Sequence, residues 1–350
     1  MNAGMSTSAL RQIARWLSKR PSESVVVVLV YHRVAKARSD PWSLAVTPEH
    51  FAEHLEALRQ HAVPLRLQQL SRALAKGATL PGRSVVVTFD DGYADNLHNA
   101  KPLLERHGIP ATIFLTSGFI GSGNGFWWDE LDRLLLRPGR LPKNLQLNIN
   151  GKTRRWQLGD AASYSRAEFR RHRRWRAWED APTPRHSLYK SLWGQLHRST
   201  DEEQRKVISE LRRWAGPVED GRPGHRLLSL EQASILANDK LIEIGAHTVN
   251  HPSLSSLPLK SQRHEILESK ARLEDLVGFP VTSFAYPYGK RSDYSAQTVA
   301  LLQESGFTCA CSNFPGTVTR STDAFQIPRI QAEDWDGDEF ASQLKEWFED

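Results

Sequence analysis

Short apolar runs recur along this chain, each followed by a longer segment with helical spacing of its apolar residues. Val25 to Val30 is unbroken in Val and Leu, and Ser84-Val85-Val86-Val87-Thr88-Phe89 is a second such run, entered after Pro81-Gly82. Runs this short, β-branched and bounded by turn residues predict buried parallel strands. Strands are expected at 25–31, 85–90, 111–116, 241–246, 281–286 and 307–311, alternating with helices at 48–60, 95–107, 261–277 and 295–305. Repeated β-then-α order implies an α/β fold built on a parallel sheet. Val25 to Val30, the longest apolar run, is far too short to span a bilayer.

Length and charge refine this picture. A chain of 350 residues suffices for one barrel-sized domain plus an insertion. The composition shifts between Gly123 and His225: residues 151–226 hold 18 basic and 10 acidic side chains, an excess larger than the +6 of the whole chain. Arg170-Arg171-His172-Arg173-Arg174-Trp175-Arg176-Ala177-Trp178 is its densest stretch. Such charge favours anionic partners. Three readings stand: a solvated helical insertion whose tryptophans pack on the main domain, a surface for glycan or membrane contact, and, least favoured, a nucleic-acid grip. Within it, Gly125-Phe126-Trp127-Trp128-Asp129-Glu130-Leu131 opens a helix. Trp127 and Leu131 are expected to anchor that helix and Asp129 to serve its first turn, the alternative being a sugar-binding wall.

The amino end lacks a secretory apolar core. Ala9 to Arg20 reads as a basic amphipathic helix with Leu10, Ile13, Trp16 and Leu17 on one side, which caps the main domain or lies on an inner membrane face. Cys309 and Cys311 fall on one face of an expected strand and read as buried thiols. Together these features point to the cytoplasm, with peripheral contact at the inner membrane.

Candidate chemistry sits at two distant places. Thr88-Phe89-Asp90-Asp91-Gly92 and His247-Thr248-Val249-Asn250-His251-Pro252 each follow an expected strand, at the carboxyl end where α/β folds build sites. Catalytic zinc commonly takes three His or carboxylate ligands and keeps one position open. Asp91, His247 and His251 supply that set, and Asp90 remains beside it as a base. His251 is expected one helical turn beyond His247 if the loop coils. The competing reading is an Asp-Asp-Gly turn and a solvated histidine pair.

These two segments resemble the first two motifs of the polysaccharide deacetylase (NodB-homology) family, metal-dependent enzymes that remove N-acetyl groups from sugars. The resemblance covers 23–122 and 228–332, leaving 1–22 as an amino-terminal helix, 123–227 as the insertion and 333–350 as a carboxyl-terminal helix. It implies a distorted (β/α) barrel with fewer than eight complete strands and a large helical insertion. It also implies Asp90 as general base, and Asp91, His247 and His251 as ligands of a divalent metal, most simply Zn2+. In the third motif the family's Arg-x-Pro-Tyr is replaced by Ala285-Tyr286-Pro287-Tyr288, which leaves Tyr288 to offer its backbone N–H to an oxyanion. The missing arginine, which orients the base, is reassigned to Arg329. A late acid histidine is missing too, since none follows His264. Exopolysaccharide deacetylases with Tyr-His near the amino end of the domain resemble Tyr31-His32-Arg33-Val34, so His32 becomes the candidate acid.

The implied reaction is amide hydrolysis: water activated at the metal attacks, Asp90 takes its proton and a histidine protonates the departing amine. The expected substrate is an N-acetylated glycan or lipid-linked glycan precursor. A deformylase or small-amide hydrolase would share the site, and a non-catalytic glycan- or nucleic-acid-binding protein would share the fold. Neither a Gly-x-Ser-x-Gly elbow nor a phosphate-cradling loop is present.

Overall fold

Eight strands run parallel around the centre of the molecule in a computed structural model that describes residues 25–123, 125–217 and 225–349. They are β1 (Val26–Tyr31), β2 (Val63–Leu65), β3 (Ser84–Phe89), β4 (Ala111–Leu115), β5 (Ile242–Ala246), β6 (Ser283–Ala285), β7 (Cys309–Cys311) and β8 (Ile330–Gln331). Their order is β7-β6-β5-β4-β3-β1-β8, with β2 beside the first half of β3. The sheet curls until its ends meet: Ile327 bridges to Cys311 of β7, and three residues later Ile330 pairs with Leu29 of β1. The chain is therefore a distorted parallel (β/α) barrel, as the family resemblance implied. The six expected strands are present, whereas β2, partly exposed and holding Pro64, and the two-residue β8 leave no apolar run in the sequence.

Alternation along the strands sorts side chains into two layers. Val27, Leu29 and Tyr31 of β1 and Val85, Val87 and Phe89 of β3 face the helices, and all are buried. Val26, Val28 and Val86 join Phe114, Ala285, Cys309 and Cys311 inside the barrel. Each fully buried Val or Leu contributes about 2 kcal/mol. The two cysteines are free, buried thiols, as their spacing predicts.

The outer helices are α1 (Pro48–His61), α2 (Leu67–Lys76), α3 (Lys101–His107), α8 (Leu230–Ala237), α9 (Leu259–Val277), α10 (Ala296–Glu304) and α11 (Gly337–Glu349), which packs on α1. Thr47 caps α1 by accepting a hydrogen bond from His50 N–H, Pro48 opens it, and Phe51, Leu55 and Leu58 form its buried stripe. The expected helix at 95–107 begins as a π turn over Asn96–Ala100. The expected helix at Ala9–Arg20 lies outside the described residues.

Between β4 and β5 the insertion builds its own core. Helices α4 (Trp127–Leu135), α6 (Pro184–Leu196) and α7 (Asp201–Ala215) pack around Leu131, Leu192, Val207 and Leu211, while α5 (Arg166–His172) buries no side chain. The insertion is not wholly helical, because Asn144–Ile149 and Lys152–Gln157 form an antiparallel hairpin. Its first strand alternates, burying Leu145, Leu147 and Ile149, which marks a half-exposed hairpin. Trp127, Trp128 and Trp175 are buried in this core, while Trp178 is 58% exposed.

Candidate metal centre

Asp90 continues the inward-facing column of β3 above Val86 and Thr88, and its N–H donates to Tyr31 of β1 at 3.0 Å. The next residue leaves the strand with a left-handed backbone, Asp91 at φ 78°, which turns its carboxylate to the barrel mouth. Left-handed φ in a non-glycine residue costs of order 1 kcal/mol, and it recurs in this region at Thr248 (65°), His251 (57°) and Tyr288 (60°).

The loop after β5 does not coil into a helical turn. Instead, the Thr248 hydroxyl accepts from His251 N–H at 3.0 Å, and the reversals at Thr248 and His251 bring the two imidazoles to 4.8 Å between centroids. Two neighbours hold this loop. On one side Ser117 and Gly118 N–H donate to the Thr248 and Val249 carbonyls at 3.0 and 2.9 Å. A Cβ on Gly118 would lie 2.6 Å from the Val249 oxygen, so no other residue fits there. On the other side the buried Glu265 of α9 accepts from Val249 and Asn250 N–H at 2.8 and 2.9 Å and from Asn250 Nδ2 at 2.8 Å. Sequence reasoning passed over Glu265; its only signal was an acidic residue on the helix expected to cover this loop.

Asp91, His247 and His251 are all buried and can each offer a ligand atom within 4.8 Å of the others. Asp91 Oδ1 lies 3.6 Å from His247 Nε2 and 3.3 Å from His251 Nε2. His247 Nδ1–H donates to the Ala285 carbonyl at 2.8 Å, so in neutral His247 the Nε2 lone pair faces a carboxylate oxygen that has no hydrogen-bond partner among the described residues. Converging lone pairs at a buried point are satisfied by a cation. The donor set, one carboxylate and two imidazoles, is that of a divalent metal centre.

Arg329 supplies what the third motif lacks. Its Nη1 and Nη2 donate to Asp90 Oδ1 and Oδ2 at 2.8 and 2.6 Å, its Nη1 to Thr88 Oγ1 at 3.1 Å, and its Nε to the Ser312 carbonyl at 2.7 Å. The pair is fully enclosed, with the guanidinium over the Phe114 ring inside the barrel. Burial pushes the Asp90 carboxyl up, but the charges of Arg329 and His247 outweigh it and hold Asp90 below the ordinary range. His247 is raised, since the attraction of Asp90 and Asp91 overcomes the cost of burying its charge, whereas burial lowers His251.

His32 reaches the same mouth from the end of β1. It is buried, its carbonyl accepts from Asn96 Nδ2 at 2.9 Å, and it lies within electrostatic reach of Asp90 and Asp91. Tyr288 stands over the centre with its ring 4.7 Å from His251 and 4.1 Å from His197, a residue of the insertion. His197 in turn pairs with Asp293 at 3.1 Å. Trp128 lies 4.8 Å from the His251 ring, so the insertion lines the centre directly. Asp129 lies in the first turn of α4, as expected, and its side chain also accepts from Tyr93 OH at 3.0 Å and pairs with His225 at 2.6 Å.

The structure is thus a parallel barrel whose mouth holds a buried Asp-His-His trio able to take a metal, beside a carboxylate-guanidinium pair. The polysaccharide deacetylase family model matches residues 77–139 and 229–310, on both sides of the insertion. The Bacillus subtilis protein YxkH, which carries the same family name, is 19% identical over 90% of this chain and 74% of its own length. The poly-β-1,6-N-acetyl-D-glucosamine N-deacetylase of Staphylococcus epidermidis is 34% identical over 28% of this chain and 38% of its own. The chain thus matches less than two-fifths of that staphylococcal relative. In fold it resembles IcaB from Ammonifex degensii, with a TM-score of 0.56 at 21% identity over 93% of this chain and 98% of that one.

Proposed function

We propose that the protein is a metal-dependent carbohydrate N-deacetylase acting on an N-acetylated amino sugar of a glycan or lipid-linked glycan precursor. The observation that carries this reading is the gathering of Asp91, His247 and His251 beside an Asp90 carboxylate gripped at both oxygens by Arg329. A divalent cation at the trio, most simply zinc, lowers the pKa of water and polarises a carbonyl. Asp90 then needs only to be ionised and fixed, and Arg329 does both. His32 stands at the end of β1 to protonate the departing amine, and the Tyr288 N–H is assigned to the developing oxyanion. Residues 23–122 and 228–332 form the catalytic domain in this reading, and 123–227 the substrate-side insertion. The reduced thiols expected of Cys309 and Cys311 support a cytoplasmic enzyme at the inner membrane face, which cell fractionation would test.

The test is release of acetate and free amine from N-acetylated oligosaccharides and lipid-linked precursors, with zinc or cobalt. Turnover should require the metal and vanish in both Asp90→Asn and His247→Ala. Formate from N-formyl substrates in place of acetate would make it a deformylase. Absence of bound metal would reduce the protein to a glycan-binding relative.

A further inference from the structure

The insertion carries a second site-like feature. A cavity of about 950 Å³ opens between the segment after β1, the end of α4 and helix α5. Arg38, Arg137, Arg140, Arg166 and Arg170 line it, and none of these has a carboxylate within ion-pair distance among the described residues. Arg133 at the rim is already paired with Glu130 at 2.8 Å. The cavity shares no lining residue with the Asp91, His247 and His251 centre.

Arg185 shows that this charge belongs to the built structure. It is 1% exposed, borders the cavity, and directs its guanidinium to five backbone carbonyls, among them Ala162 at 2.7 Å and Gly139 at 2.7 Å. Carbonyls satisfy its donors without cancelling its charge, and burial pulls its pKa down to about 10. The one acid on α5, Glu168, accepts from the Ser165 N–H at 2.7 Å and offsets only part of the charge of Arg185 and its neighbours. Five further guanidiniums around a buried cation repel one another, and that cost is relieved by a multiply charged anion.

We propose that this cavity binds a pyrophosphate or phosphate ester. Guanidinium forks match phosphate oxygens in pairs, and several forks suit a group bearing more than one charge. The volume is that of a small-molecule pocket open to solvent on one side. Phe169 is the sole aromatic among its described lining residues, so it lacks the row of aromatic platforms that grips successive bases. The ester has two sources with one chemistry: a soluble sugar diphosphate, or the pyrophosphate of a lipid-linked glycan.

Calorimetric titration with inorganic pyrophosphate tests the site, using the full chain and the triple variant Arg140→Gln, Arg166→Gln, Arg170→Gln. These three side chains are exposed, so an unchanged thermal unfolding curve is expected. Wild type should bind one pyrophosphate per chain, with affinity falling from roughly 50 to 200 mM salt. The triple variant should bind about tenfold more weakly or not at all. Vesicles of phosphatidylcholine carrying farnesyl pyrophosphate should sediment the protein if the source is lipid-linked; binding of inorganic pyrophosphate without sedimentation assigns a soluble ester. No binding of either probe, or equal binding by the triple variant, overturns the proposal and leaves the deacetylase reading untouched.

Discussion

Arg329 grips both oxygens of Asp90 from the segment that closes the barrel, 239 residues away in sequence. The interaction joins β8 to β3 through the interior, so the residue that orients the candidate base also fastens the last strand.

Replacing Arg329 therefore has two separable effects. Arg329→Lys keeps a charge but loses the fork, and is expected to lower deacetylation about ten- to a hundredfold with the metal retained. Arg329→Met leaves the Asp90 charge buried and unpaired, and should cost about 3–5 kcal/mol of stability in denaturant unfolding.

His32 should act on the leaving group alone. His32→Asn is expected to leave metal stoichiometry unchanged and to reduce turnover about 10²- to 10⁴-fold on sugar amides. Aryl amides, whose amines leave more easily, should suffer far less. Equal losses on both substrates would remove His32 from the acid role.

Glu265 is a positioning residue for the His251 loop. Glu265→Gln substitutes an NH2 group where a carboxylate oxygen now receives backbone N–H groups, which loosens the turn that aims His251. Metal affinity, measured by competition with a chelator, should fall about tenfold with little change in overall stability.

Acid should weaken the packing of α1 on α11 through His54. This ring stacks on Phe340 at 4.0 Å, its Nε2–H donates to the Trp335 carbonyl at 2.9 Å, and its Nδ1 accepts from Tyr31 OH at 3.2 Å. Burial lowers its pKa from 6.5 to about 4, so the folded state favours the neutral ring. The unfolded chain binds the proton first, and stability is full above about pH 6.5 and is lost as pH falls toward 4. The loss reaches about 3 kcal/mol, and His54→Gln should flatten unfolding free energy over that window.

Sequence alone determined six of the eight barrel strands and the four polar residues at two strand ends, because short apolar runs and motifs carry those properties, while the family resemblance implied the barrel. Phe89-Asp90-Asp91-Gly92 and His247 to His251 could be read without knowing what lay between them. Tertiary structure decided the rest. The strands β2 and β8 give no local signal, β2 because it is partly exposed and holds Pro64 and β8 because it has two residues, and both form by pairing with β3 and β1. The histidines meet through left-handed turns held by Gly118 and Glu265, which no helical periodicity encodes. Trp128, Asp129 and His197 read as parts of an insertion, yet folding sets Trp128 against His251 and His197 against Tyr288. Such contacts are non-local: a side chain's partner depends on how the sheet curls and where the insertion returns, and residues distant along the chain become neighbours only when the barrel closes.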